Sequence, residues 1–180
     1  MPTTTRRRSG AGQGPVPRFA TRPVAAAARQ FPVLLVTGAR QVGKTTLLRS
    51  LATAGRRYVT LDDPLVLRLA RDDPALFVQT YPPPVLIDEV QYAPQILPHI
   101  KMAVDARGKP GGFWLTGSQP FHLMHGVAES LAGRVAVLSL LGLSRREALR
   151  LPPAPAFLPL PARLQGLRRS ALAADLHALY

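Results

Sequence analysis

Short apolar runs recur along the chain, separated by polar turns rich in glycine, proline or aspartate. Most of these runs are continuous. This is typical of strands buried on both faces of a parallel sheet, since a strand with one face in water alternates apolar and polar residues. The predicted strands are residues 33–36, 58–61, 85–88, 113–116 and 135–140.

Helix signals fill the intervals between these strands. Helices are predicted at residues 45–53, 98–106 and 121–132. The steps Asp63-Pro64 and Asp73-Pro74 predict two further short helices, because Asp accepts hydrogen bonds from a first helical turn and Pro fits its first position. The alternation of strand and helix predicts an α/β fold, with a parallel sheet covered by helices on both faces.

The amino-acid composition along the chain divides it into four segments. Residues 1–17 hold Thr, Arg, Gly and Pro with little to bury, which predicts a disordered basic tail. Residues 18–148 contain the predicted strands and form the core domain. Residues 149–163 predict a Pro-rich linker, and residues 164–180 begin a further region with an amphipathic helix.

The composition is that of a folded protein without disulfides. Of 180 residues, 47% are apolar and none is cysteine, so we expect neither a disulfide framework nor a thiolate metal site. No apolar run approaches the ~18 residues of a membrane span, and no signal peptide is visible. We therefore expect a cytoplasmic protein with no membrane partner.

The net charge of +13 admits two interpretations. A strongly basic chain suggests a polyanion such as nucleic acid as a partner. However, Arg far outnumbers Lys and Asn is absent, a bias that also produces a solvated, Arg-rich surface. Nucleic-acid binding stays open as an alternative.

A glycine-rich segment lies between the first predicted strand and a predicted helix. It reads GARQVGKT and matches the P-loop pattern G-x4-G-K-[ST] in full. Its glycines bring backbone N–H groups close to phosphate oxygens, Lys44 reaches the β- and γ-phosphates, and the Thr45 hydroxyl ligates Mg²⁺. The predicted ATP-binding residues are Gly38, Ala39, Arg40, Gln41, Val42, Gly43, Lys44, Thr45 and Thr46.

The third predicted strand ends in two acids, Asp88 and Glu89, in the form of a Walker B motif. Carboxylates at the carboxyl end of a buried parallel strand face the crevice where ligands bind. Asp88 is placed to hold Mg²⁺, and Glu89 to orient or deprotonate the attacking water. The two motifs together predict ATP and Mg²⁺ as ligands.

Three residues near later strands are further candidates for the catalytic site. Thr116 and Ser118 follow the fourth apolar run, and either can contact the γ-phosphate or the water; the alternative is a plain strand-to-helix turn. Arg134 precedes the fifth run, where it can stabilise the charge of phosphoryl transfer, in cis or from a neighbouring subunit of a homo-oligomer. The alternative for Arg134 is a solvated surface residue.

Taken in order, these motifs resemble the AAA-superfamily ATPases of bacteria and archaea. The runs that carry the resemblance are TGARQVGKTT at 37–46, LIDEVQ at 86–91, LTGSQ at 115–119 and SLAGR at 130–134. The resemblance covers about residues 20–148 and implies a five-stranded parallel sheet in the order 5-1-4-3-2, with ATP as ligand. It implies that Arg134 reaches a neighbour's ATP. It also implies a C-terminal domain after the core, so the chain looks like a truncated member.

Two functions fit these observations. The first is a Mg²⁺-dependent ATPase that acts as a motor or switch, which Glu89 favours. The second is a nucleotide-dependent interaction module that binds ATP with little turnover, which the missing C-terminal domain favours. A small-molecule kinase fits less well, because no acceptor-binding lid is recognisable. The sequence argues against a GTPase of the usual kind, because its guanine-reading Asn-Lys-x-Asp requires Asn.

Overall fold

Five parallel strands form one sheet at the centre of the molecule. A computed structural model of the chain describes residues 16–118, 127 and 130–153. The strands are β1 (Val33–Thr37), β2 (Arg57–Thr60), β3 (Val85–Asp88), β4 (Phe113–Gly117) and β5 (Val135–Ser139). Their order, β2-β3-β4-β1-β5, is the predicted 5-1-4-3-2 read from the other edge. The α/β class and the strand order are confirmed.

Helices cover both faces of the sheet. They are α1 (Thr21–Gln30), α2 (Lys44–Leu51), α3 (Pro64–Asp72), α4 (Pro74–Thr80), α5 (Leu97–Arg107) and the short α6 (Arg145–Ala148). Two 3₁₀ turns, Val90–Tyr92 and Pro94–Ile96, precede α5. The predicted caps of α3 and α4 are confirmed: the side chain of Asp63 accepts from Leu65 N, and that of Asp73 from Leu76 N, both at 2.9 Å.

The core has two halves because successive side chains of a strand point to opposite faces. In β1, Val33 and Leu35 pack with α3, α4 and α5, while Leu34 and Val36 pack with α1 and α2. All four are fully buried. The continuous apolar run of β1 therefore follows from its place inside the sheet, with helices on both sides.

The structure corrects one prediction and adds one helix. The fifth strand was expected to be buried, but within the described residues β5 pairs with β1 alone and is the outermost strand of the sheet, where Val137 is 38% exposed. Helix α1 was not predicted; its Ala-rich sequence buries only Val24 and Ala28. The predicted helix 121–132 lies mostly outside the described residues, and the tail 1–15, most of the linker and the terminal helix lie wholly outside them.

In the described part of the chain, no helix is both long enough and apolar enough to cross a membrane.

Candidate nucleotide-binding site

The glycine-rich loop connects the carboxyl end of β1 to the first turn of α2. Gly38 has φ 141°, and a Cβ there would lie 2.2 Å from the carbonyl oxygen of Leu140, so the loop passes directly against the chain that follows β5. Gly43, with φ 91°, is the N-cap of α2. Both positions need glycine, Gly38 for space and both for their left-handed backbone. The result is a strand–loop–helix unit whose helix N-terminus faces the carboxyl edge of the sheet.

Lys44 lies inside this loop and is only 5% exposed. Its ammonium group donates hydrogen bonds to the carbonyl oxygens of Gly38 at 3.1 Å and Ala39 at 2.9 Å. A buried cation must be partnered, and here the loop's own carbonyls serve as partners. The charge is therefore held in the hollow of the loop, among the backbone N–H groups that a phosphate would contact.

Asp88, at the end of β3, is 6% exposed and accepts hydrogen bonds from three hydroxyl groups. Thr45 donates to Oδ1 at 2.7 Å and Thr116 donates to the same oxygen, while Tyr58 donates to Oδ2 at 2.9 Å. The structure thus brings together the two predicted metal ligands, Thr45 and Asp88. No pattern in the sequence indicated Tyr58, which reaches Asp88 from the neighbouring strand β2.

Thr45 and Asp88 offer a donor set that suits Mg²⁺ better than a metal ion whose ligands all come from the protein. No cluster of three or more His, Cys, Asp or Glu side chains in the described residues is placed to hold a metal ion. A hydroxyl beside a single carboxylate is the kind of partial site in which Mg²⁺ takes its remaining ligands from phosphate and water. Thr45 and Asp88 form such a pair.

Glu89 follows Asp88 with a left-handed backbone, φ 58° and ψ 46°. This conformation is costly for a residue with a side chain, and it occurs mainly where surrounding contacts enforce it. Here the Glu89 N–H donates to the Thr116 hydroxyl at 3.0 Å. Its carboxylate accepts hydrogen bonds from Ser118 Oγ at 3.1 Å and from Gln91 Nε2.

The geometry separates the two candidates at the end of β4. Thr116 is fully buried and bonded to Asp88 and the Glu89 backbone. Ser118 is partly exposed and contacts the Glu89 carboxylate. Only Ser118 therefore lies at the surface of the site. Gln91, which the sequence analysis did not assign a role, contacts both Glu89 and Ser118.

A cavity of about 700 Å³ opens beside the P-loop. Its walls come from residues 16–21, 41–50 and 142–143, and the predicted residues Gln41, Val42, Gly43 and Thr46 are among them. Arg40 points elsewhere, donating at 2.9 Å to the hydroxyl of Tyr92, the last residue of the 3₁₀ turn after Glu89. The P-loop therefore lies between the acidic side chains of β3 and a hollow large enough for a small organic group.

Arg18 joins three segments at the edge of this cavity. It donates to the carbonyls of Val42 at 2.7 Å and Leu141 at 2.6 Å, and to the carboxylate of Glu147 at 3.2 Å. Burial would raise the pKa of Glu147, but hydrogen bonds from Ser144, Phe19 and Arg18 outweigh it and lower this pKa to about 2. The capping-box pattern of Ser144 and Glu147 was a sequence signal for α6 that the analysis missed.

Arg134 lies at the amino ends of the strands, on the side of the sheet opposite to the P-loop. It directly precedes β5, whose first residue pairs with Val33, so about 16 Å of strand separates it from the P-loop edge. Its guanidinium donates to Asp105 and to the Ala132 carbonyl. The hydrogen bonds from Arg134 and Lys101 lower the pKa of Asp105. The structure does not bring Arg134 to the other candidate residues of its own chain.

Strand order, P-loop and paired acids define a P-loop nucleotide-binding domain. A family model described as an AAA domain (AAA_14) matches residues 30–149. The chain belongs to this AAA domain family.

Two uncharacterized proteins, from Mycobacterium tuberculosis and Mycobacterium bovis, are each 37% identical to the chain over 123 residues. The match covers 67% of this chain and 27% of each relative, so the chain spans about a quarter of the length of these relatives. The solved structure of the Walker-type ATPase PABY2304 of Pyrococcus abyssi superposes with a TM-score of 0.50 at 17% identity. It covers 74% of this chain and 58% of that one, and supports the fold alone.

Proposed function

We propose that this domain binds ATP and hydrolyses it with Mg²⁺. The observation that carries the proposal is the hydrogen bond between Thr45 and Asp88, 2.7 Å long, beside a P-loop that holds Lys44 in its hollow. It joins the two motifs that an ATPase needs into one site. Family membership supports nucleotide binding, and the adjacent Glu89 supports turnover.

The nucleotide's parts match different regions of the site. The triphosphate fits the P-loop, where Lys44, the backbone N–H groups and the N-terminus of α2 supply positive potential. The base and ribose fit the cavity walled by residues 16–21, 41–50 and 142–143. Thr45 and Asp88 would hold Mg²⁺, which when bound would neutralise charge on the phosphates.

Glu89 is the group we propose for activating water. In hydrolysis the water oxygen bonds to the γ-phosphorus, the bond from phosphorus to the ADP oxygen breaks, and Glu89 accepts the water's proton. Thr116 is too buried to reach substrate, so its role is to hold Asp88 and the backbone of Glu89 in place. We assign the contact with the γ-phosphate to Ser118, which is partly exposed beside Glu89.

One observation favours the second candidate, an ATP-dependent interaction module with little turnover. Oε2 of the Glu89 carboxylate is already engaged by Ser118 and Gln91, so this oxygen is not free to accept a proton. If this arrangement persists with ATP bound, the domain would hydrolyse ATP slowly and would act through its ATP-bound state. The two candidates differ in rate and share the same nucleotide site.

The test is ATP turnover by the wild type and by Glu89→Gln, with Asp62→Asn as a matched control at an exposed acid. We expect turnover in the wild type and the control. In Glu89→Gln the rate should fall by about 10²- to 10⁴-fold, with nucleotide binding retained. Binding without turnover in the wild type would favour the interaction module, and unchanged turnover in Glu89→Gln would place the base elsewhere. Repeating the assay with DNA and RNA addresses the basic surface.

A further inference from the structure

We propose that Gln91 is a positioning residue that holds the Glu89 carboxylate when Ser118 turns to the γ-phosphate. The inference rests on the proposed ATPase function and extends it to a residue outside both Walker motifs. Gln91 lies in the 3₁₀ turn directly after β3, two residues beyond Glu89. Its side chain bridges that turn to the end of β4, where Ser118 lies.

The three side chains form a closed triangle of hydrogen bonds. The Gln91 amide nitrogen donates to Glu89 Oε2 and, at 3.0 Å, to Ser118 Oγ. Ser118 Oγ donates to the same Glu89 oxygen at 3.1 Å. The Ser118 backbone N–H donates to Gln91 Oε1 at 3.3 Å. All three residues are partly buried, so these bonds are shielded from competition with water.

The orientation of the Gln91 amide is determined by its partners. Its nitrogen faces a carboxylate and its oxygen faces a backbone N–H. The flipped amide would place oxygen against oxygen and N–H against N–H, losing both bonds. The amide nitrogen of Gln91 therefore donates one hydrogen to Glu89 and one to Ser118. Its amide oxygen accepts from the backbone N–H of Ser118, just after β4.

A count of hydrogens shows what nucleotide binding must change. A serine hydroxyl has a single hydrogen, and in this structure Ser118 donates it to Glu89. A phosphate oxygen only accepts, so Ser118 can bond to the γ-phosphate only by releasing Glu89. Gln91 has its own hydrogens and need not release Glu89 when Ser118 turns.

Gln91 therefore keeps the carboxylate in the site at the moment it is needed. Without Gln91, a Glu89 released by Ser118 would lose both of these side-chain bonds and could rotate toward solvent. With it, Glu89 stays beside the phosphate-contacting residue. Among the described residues only Oε2 of its carboxylate is engaged, so Oε1 can take the attacking water. The γ-phosphate is in this way coupled to the base through Ser118.

The main test compares Gln91→Met, which keeps the length of the side chain but has no amide, with Gln79→Met on the exposed face of α4. We expect Gln91→Met to lower kcat by about 10- to 100-fold, the cost of a misplaced catalytic group. ATP affinity should stay unchanged, because Gln91 does not line the P-loop. Gln91→Asn, which retains an amide but is one methylene too short to bridge, should lose the same activity. Wild-type kcat in both variants would overturn the proposal, as would a loss that appears in affinity alone.

A second readout does not depend on turnover. The side-chain amide resonances of Gln91, assigned by their loss in Gln91→Met, should shift in nucleotide-free Ser118→Ala and again in Glu89→Gln. Resonances that stay unchanged in both variants would show that the triangle does not exist in solution. If the wild type binds ATP without hydrolysing it, the proposed function itself fails, and this inference falls with it. If Glu89→Gln abolishes turnover while Gln91→Met and Gln91→Asn do not, only the inference fails.

Discussion

The carboxyl ends and the amino ends of the parallel strands form two opposite edges of the sheet, here called the carboxyl edge and the amino edge. These two edges use their charged residues in different ways. At the carboxyl edge, Lys44 and Asp88 are buried, and each is held by hydrogen bonds within a loop or strand end. At the amino edge, Arg134 pairs with the exposed Asp105, and Arg56 lies over the ring of Trp114, 3.8 Å from its centroid. Parallel strands and the helices between them explain the contrast, because helix N-termini gather at the carboxyl edge and attract anions there.

Arg56 shows what a cation does at the amino edge. Its guanidinium donates to the carbonyl oxygens of Gly111 at 2.8 Å and of Gly112 and Val85 at 3.3 Å. Burial lowers the pKa of Arg56 to about 10, which leaves it charged at neutral pH. Its two terminal nitrogens thus tie the loop before β4 to β3, while its buried Nε has no hydrogen-bond partner in the described part of the chain. The contrast is thus between a binding edge and a structural edge.

A catalytic role for Arg134 would contradict this contrast, because Arg134 lies at the amino edge. Its substitution has the largest expected effect. If it reaches the ATP of a neighbouring subunit, Arg134→Ala should lower turnover by about 10³- to 10⁵-fold while ATP binding is retained. Specific activity should then rise with protein concentration. The control is Arg29→Ala, an exposed arginine at the end of α1, which should leave turnover unchanged.

Mixing variants tests the same idea directly. Arg134→Ala keeps an intact Glu89, and Glu89→Gln keeps an intact Arg134, so a mixture should recover part of the turnover that each has lost. No recovery, together with activity independent of concentration, would make Arg134 a structural partner of Asp105 and restore the contrast between the edges.

A pair of substitutions sharpens the comparison with intermediate effects. Lys44→Ala should abolish measurable ATP binding, because it removes the cation held in the hollow of the P-loop. It should change the melting temperature less than Arg56→Ala does. Arg56→Ala should leave ATP affinity unchanged and cost about 2 kcal/mol of stability, because it leaves several carbonyls without a charged donor. Fluorescent-nucleotide titration and chemical denaturation measure the two effects. Equal losses of binding in both variants would contradict the division into two edges.

The last prediction concerns acid stability and the contact between Arg18 and Glu147. The pKa of Glu147 is lower in the folded chain, at about 2, than its ordinary value of 4.5. Its contribution to the free energy of unfolding is therefore full above about pH 4.5 and is lost as the pH falls toward 2. Denaturation curves of Glu147→Gln and the wild type should differ at neutral pH and converge across that window. Asp72→Asn, at an exposed pair with Arg68, should shift the curve little at any pH. A wild-type curve that runs parallel to that of Glu147→Gln down to pH 2 would contradict the assignment.

The sequence alone was enough for much of the fold, and it named residues such as Thr45 and Asp88 that the structure brings together. The apolar runs located the strands to within a residue or two, and both Asp-Pro steps proved to be helix starts. The P-loop was recognisable because it is local: glycines at fixed spacing permit a left-handed backbone, and Lys44 follows directly. The position of β5 as the outermost strand was not recognisable from the sequence, because an apolar run of that length suits an inner strand equally well.

Only the tertiary structure decided which distant side chains meet at the candidate site and beside it. Tyr58 meets Asp88 across 30 positions of sequence, Gln91 meets Ser118 across 27, and Arg18 meets Glu147 across 129. The sequence by itself determined that an acid pair would stand beside a P-loop, and left Thr116 and Ser118 equivalent. Strand order and register, which arise from packing of the whole sheet, then buried Thr116 beneath Asp88 and left Ser118 at the surface beside Glu89. Local motifs specify backbone shape, whereas the side chains that meet at a strand end depend on which strands become neighbours.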